Sequence, residues 1–144
     1  MDYFLGKDSR KLNVKNQVAI PAEFIRTIKE RNKAEHERDI YMTVAYASEA
    51  SVPFVKCFDY TAFRQTVKGV IDAGELHKAT LDKQGRFVIP KRIMDEAGLD
   101  SLDRIVMVEA ESGKCWGMTF AIYELDNYHK MKARQQHLCQ KRKR

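Results

Sequence analysis

The chain contains the same short pattern twice, and that repetition limits the folds open to it more than any other feature. Leu12, Ile20 and Pro21 recur 69 positions later as Leu81, Ile89 and Pro90. The same offset carries Val18 onto Phe87, Phe24 onto Ile93, Ile25 onto Met94 and Ile28 onto Ala97. Downstream, Ile40-Tyr41-Met42 matches Ile105-Val106-Met107 at an offset of 65. Lys56-Cys57-Phe58-Asp59-Tyr60-Thr61 then matches Lys114-Cys115-Trp116-Gly117-Met118-Thr119 at 58. The drift assigns the first copy four extra residues near 29–39 and seven more near 46–53, polar or turn-like segments where insertions are tolerated.

Each copy reads as strand, turn, strand, helix, strand, turn, strand, helix. In the second copy the expected strands are 78–82, 86–89, 104–109 and 114–118, with a turn at 111–113. Pro90 can open the first helix, because a proline in the first turn loses no hydrogen bond, and Gly98-Leu99 closes it as a glycine cap followed by an apolar residue. The second helices are expected near 60–73, with an apolar stripe of Phe63, Val67, Val70 and Ile71, and near 122–136. A unit of about 60–70 residues buries too little surface to be robust alone. Two copies in one chain should therefore pair, giving a pseudo-twofold α+β domain in which the two Ile-Pro hairpins build a common small barrel.

Charge and cysteine usage narrow the function classes. The net charge is +6, yet seven of the 26 basic residues lie in 130–144 without an acid among them. The remaining 19 face 20 acidic residues, so the body is near neutral and any nucleic-acid argument must rest on local placement. The basic end reads as a tail that adds non-specific DNA affinity. No apolar run approaches the ~20 residues a membrane span requires, and Met1 to Gly6 is too short, and too acidic at Asp2, for a signal peptide. A cytoplasmic location is expected. Cys57, Cys115 and Cys139 form no C-x-x-C pair, and His36, His77, His129 and His137 show no metal-ligand spacing. Neither a metal nor a cofactor is expected, and no residue is assigned a catalytic role. Cys57 and Cys115 read as core residues, since nothing indicates a partnering base. Phe58, Phe63, Trp116 and Tyr123 likewise read as core.

The second hairpin concentrates the candidate chemistry. Asp82 can accept turn N–H groups, Gly85 can take the left-handed conformation, and Arg86 leaves the turn at the first position of the returning strand. An arginine held at a hairpin base, oriented by Asp82, suits phosphate or guanine recognition through its forked donors. The plainer alternative is a pair that only pins the hairpin.

Leu81-Asp82-Lys83-Gln84-Gly85-Arg86-Phe87-Val88-Ile89-Pro90, followed by Ala97-Gly98-Leu99, resembles the second signature of the MraZ family with its Asp-x-x-x-Arg motif. Phe4-Leu5-Gly6 and Ile20-Pro21-Ala22-Glu23-Phe24 resemble its amino-terminal pattern, so the likeness covers roughly residues 4–130. It implies tandem SpoVT-AbrB-like repeats, 1–74 and 75–128, forming a swapped-hairpin β-barrel with flanking helices; the charge run beyond them, 129–144, reads as a basic C-terminal helix end and tail. It also implies a nucleoid-associated DNA-binding transcription factor without cofactor or small-molecule substrate. Such a protein assembles as a ring-shaped homo-oligomer on direct repeats upstream of its own division and cell-wall gene cluster, typically as a repressor.

The first copy departs from that pattern. Asn13 stands where the family has aspartate and Gln17 where it has the DNA-contacting arginine, while Asn16 is the next-best left-handed residue after glycine. DNA binding is then expected from Lys7, Arg10, Lys11, Lys15, Lys83 and Arg86, with Asn13, Asn16, Asp82 and Gly85 structuring the turns. The four cations of the first copy could equally be a solvated face. An antitoxin-like protein-interaction module of the same fold type is the alternative function.

Overall fold

Apolar alternation and turn chemistry set the elements, and the computed structural model describes them over residues 7–47, 52–67, 76–109 and 119–142. In the first copy, β1 (Lys7–Lys11) and β2 (Gln17–Ala19) lead into α1 (Ala22–Arg31). A 3-10 turn (Ala34–His36) precedes β3 (Asp39–Ala47), β4 (Val52–Phe58) and α2 (Tyr60–Val67). The second copy repeats the order with β5 (His77–Thr80), β6 (Arg86–Val88), α3 (Lys91–Ala97), β7 (Arg104–Glu109), β8 (Phe120–Glu124) and α4 (Leu125–Arg142). Pro21 and Pro90 each stand one residue before a helix. Gly98, at φ 72°, closes α3 by letting the Leu99 N–H donate to the Met94 carbonyl at 2.8 Å. The first copy's extra length near 29–39 is visible as a ten-residue α1 against a seven-residue α3, followed by the 3-10 turn.

The fold is α+β with antiparallel pairing. One six-stranded sheet runs β1-β7-β8-β4-β3-β5, and β2 and β6 form a separate two-stranded ribbon. Strands cross between the copies: β1 pairs with β7, Lys11 opposite Arg104, and β5 pairs with β3, Thr80 opposite Asp39. These registers interconvert when the offsets of 69 and 65 are applied. In the ribbon Val18 lies opposite its own counterpart Phe87, and in the sheet Lys56 lies opposite its counterpart Ala121. The halves therefore meet residue against equivalent residue at two places.

The four inner strands of the sheet carry buried residues on both faces. Ile40, Met42, Val55, Cys57, Ile105, Met107, Phe120 and Ile122 share one cluster with Val18 and Phe87 of the ribbon and with Phe24, Ile28, Ile93 and Met94 of α1 and α3. Opposite, Val106, Val108, Ala121 and Tyr123 pack with Tyr128 and Met131 of α4, while Tyr41 and Phe58 pack with Ala62 of α2. Burying each large side chain of this kind contributes about 1.5–3 kcal/mol.

Three expectations are corrected. The sheet is open, with β1 and β5 as its edges, so the hairpins do not close a common barrel. The three-residue strands of the ribbon pack face-on against the core through Val18 and Phe87 instead of extending the sheet. The second copy's last helix begins at Leu125, because 120–124 alternates Phe120 and Ile122 against Ala121 and Tyr123 and forms a strand. The match at offset 58 does not describe the fold either: Tyr41 opposite Phe58 and Val106 opposite Tyr123 keep the offset at 65 through the hairpin. The expected strand 114–118, the turn 111–113, Cys115, Trp116, Val70 and Ile71 lie outside the described residues, as does Phe4-Leu5-Gly6. Among the described residues no helix is long and apolar enough to cross a membrane, and no side-chain group could hold a metal ion.

Candidate functional site

Each copy presents a tight turn between its first two strands, and the turns share one backbone plan. In the second, Asp82 Oδ1 accepts from the Gln84 N–H at 2.8 Å and the Arg86 N–H at 2.9 Å, and Asp82 Oδ2 accepts from Arg86 Nε at 3.1 Å. Gly85 sits at φ 76°, where a Cβ would lie 3.3 Å from Ile25 Cδ1. In the first, Asn13 Oδ1 accepts from the Lys15 and Gln17 N–H groups, both at 2.9 Å, and Asn16 sits at φ 60°. Asn13 Nδ2 donates to Gln17 Oε1 at 2.9 Å, the neutral counterpart of the Asp82–Arg86 contact.

The bonds within the second turn set its electrostatics. The Arg86 backbone N–H, and after it the Gln84 N–H and the Arg86 guanidinium, hold the Asp82 carboxyl below its ordinary value, against a smaller opposing effect of desolvation. The Arg86 side chain is 39% exposed, with its Nε engaged by Asp82.

The turns are also anchored across the halves. The Ile20 N–H donates to the Gly85 carbonyl at 2.9 Å, and the Ile89 N–H donates to the Asn16 carbonyl at 3.0 Å. Ser101 Oγ bonds Asn16 Oδ1 from a segment 85 residues away, a contact no local pattern signals. Antiparallel pairing puts the turns at opposite ends of the ribbon, about four residue rises or ~13 Å apart. Val18 and Phe87 face the core, so Gln17, Ala19, Arg86 and Val88 share the outward face, with Val88 48% exposed. Lys15 and Lys83 are exposed at the two turn tips, and Lys11 is exposed at the end of β1 that enters the first turn.

The other candidates lie apart. Lys7 is four residues back along β1, its ammonium 5.2 Å from the centre of the Tyr128 ring on α4. Arg10 is turned back on Asp8, to whose Oδ2 both Nε and Nη2 lie at 2.8 Å. Cys57 is buried and its thiol pushed upward by burial, as a core residue. His36 stacks on Tyr60 at 3.5 Å and bonds Asp39 Oδ2 at 3.0 Å, as a packing residue.

A buried polar network joining α1 to α2 escaped the sequence reading. Asp59, with no exposed surface, lies 3.1 Å from Arg31 Nη2, accepts from Asn32 Nδ2 at 3.0 Å and caps α2 through the Ala62 N–H at 2.9 Å. Thr61 completes it by donating from its N–H to Asn32 Oδ1 and from its hydroxyl to the Arg31 carbonyl, both at 2.9 Å. An aspartate three residues before Ala62 is an N-cap signal that could have pointed to it. Its ion-pair partner is 28 positions away and could not be found that way.

No family model matches the chain. Among curated proteins it is similar to the transcriptional regulator MraZ of Mycoplasmopsis pulmonis (strain UAB CTIP). The two are 26% identical over 121 residues, covering 77% of this chain and 76% of that one.

Proposed function

We propose, from the premise that this chain belongs to the MraZ family, that it is a sequence-specific DNA-binding transcriptional regulator. In this reading it acts as a repressor on direct repeats upstream of its own gene, at the head of a division and cell-wall cluster. The observation that carries the reading is Arg86: half-exposed at the base of a tight turn and tethered through Nε by Asp82, which leaves its two Nη groups uncommitted to that carboxylate. An oriented guanidinium of this kind matches the paired acceptors of a guanine edge. Lys15, Lys83 and Lys11 stand around the ribbon as phosphate contacts that set register without reading sequence. Lys7 and Arg10, engaged with Tyr128 and Asp8, contribute less.

The proposal includes two SpoVT-AbrB-like repeats, 1–74 and 75–128, with exchanged hairpins, and a basic segment 129–144 that adds non-specific affinity. It includes a homo-oligomeric ring, located with the nucleoid in the cytoplasm, in which neighbouring subunits engage successive repeats so that single contacts sum. No cofactor, membrane or small-molecule substrate enters it, and the chain has no enzymatic role. Titration against the DNA upstream of its own gene and a shuffled duplex, at low and near-physiological salt, tests this. Tight binding to the native fragment, stepwise with repeat number and persisting at higher salt, is the expected result. Equal, salt-fragile binding to both duplexes would leave only the basic segment at work. A co-purifying small partner would then favour an antitoxin-like interaction module.

A further inference from the structure

We infer that the two halves of the ribbon read different purines, Arg86 a guanine and Gln17 an adenine, so that each bound unit of DNA is asymmetric at these positions. The inference rests on the DNA-binding reading above. It follows from how the two side chains are held. Arg86 has Nε committed to Asp82 Oδ2, which leaves Nη1 and Nη2 as a fork of donors. Guanine presents two acceptors in the major groove, O6 and N7, and a donor fork satisfies both.

Gln17 is held by the same device with opposite hydrogen-bond sense. Asn13 Oδ1 is committed to two backbone N–H groups, so Asn13 must offer Nδ2 to Gln17, and Gln17 must answer with Oε1. The amide orientation of Gln17 is thereby determined: one Oε1 lone pair and both Nε2 hydrogens remain. That donor-and-acceptor pair matches N7 and the N6 amino group of adenine. Against guanine it would set Oε1 on O6, two acceptors with no proton between them. Val88, opposite Gln17 in the ribbon and 48% exposed, supplies methyl groups suited to a thymine methyl in an A·T pair. Gln17 and Arg86 lie on one face, two residue rises or ~7 Å apart along the ribbon. Their targets fall within one stretch of major groove, about two base steps apart.

The test is enrichment of bound sequences from a randomised duplex library by the full chain at near-physiological salt. It is repeated with the double variant Asn13→Asp/Gln17→Arg, which copies the second turn into the first, and with Gln17→Ala. The wild-type chain should enrich guanine at one position and adenine at a second in each bound unit. The double variant should convert the adenine preference to guanine by about tenfold, leaving the first position unchanged. Gln17→Ala should erase the adenine preference alone, a readout that holds even if the double variant folds poorly. If the wild type enriches only guanine, or if Gln17→Ala leaves the profile unaltered while specific binding persists, Gln17 is not a reader and the inference falls with DNA binding intact. If no sequence is enriched at all, the DNA-reading function fails and the inference with it.

Discussion

Residues 13–17 and 82–86 occupy equivalent places at the two ends of the ribbon, and they hold the same backbone with different chemistry. In both, the first side chain accepts two N–H groups through one oxygen and touches the side chain four residues on, and the fourth residue is left-handed. One pair is ionic and the other neutral. The turn thus requires an acceptor at its first position and a residue tolerant of positive φ at its fourth; it does not require charge. Asn13 and Gln17 meet the structural need unaided, so the ion pair of Asp82 and Arg86 exceeds what the fold demands. That surplus is the strongest argument against reading Arg86 as a mere pin.

A second contrast lies where each copy's last strand enters its last helix. Asp59 and Glu124 are equivalent at offset 65, and both accept from helix N–H groups. Asp59 does so fully buried and beside Arg31, whereas the amide Glu124 caps at Asp126 is exposed. Three added residues in α1 bring Arg31 and Asn32 within reach of Asp59 and make the difference.

Substitutions that treat the copies as equal should break these contrasts or sharpen them. The largest effect is expected at the helix junction. Asp59→Ala removes the carboxylate 3.1 Å from the buried Arg31 guanidinium, together with its bonds to Asn32 and the Ala62 N–H, and should cost about 3–5 kcal/mol, against about 1 kcal/mol for loss of the Glu124 cap. Chemical denaturation reads both, and equal losses would mean the buried network adds nothing. Next, on the proposed function, Arg86→Ala should weaken binding to the upstream fragment by about 10- to 100-fold with the hydrodynamic size of the protein unchanged. Gln17→Ala should weaken it by less than about tenfold. Loss of the proposed assembly with retained intrinsic affinity would make Arg86 structural.

A smaller effect concerns backbone conformation. Gly85→Ala should lower stability by about 1–2 kcal/mol in thermal unfolding, because an L residue is strained at its φ of 76°. Gly85→Asn should lose less, as Asn16 holds the equivalent place. The smallest effect is set by pH. Asp82 has a folded value below its ordinary 3.8, so its contribution is complete above that value and lost as pH falls through the lower folded one. Asn13 does not titrate. Protection from amide exchange at Gln84 and Arg86 should therefore fall under acid before that at Lys15 and Gln17; parallel behaviour would show that charge is immaterial to the second turn.

Much of this was legible in one dimension. The helix starts after Pro21 and Pro90 and the Gly98 cap follow from local rules. Each depends on a side chain and a backbone only a few bonds apart. The short strand at 120–124 is not legible in this way, because a brief apolar run does not reveal its period until a partner strand sets it. Which strands exchange between halves, that the sheet stays open, that Ser101 reaches Asn16 and that Arg31 finds Asp59 were decided only by the tertiary structure. Those outcomes depend on long-range packing, where many pairings satisfy the same apolar pattern and only the assembled core selects among them. The sequence by itself determined the local geometry that holds Gln17 and Arg86; the ribbon that sets them side by side on one face exists only because Val18 and Phe87 bury against each other.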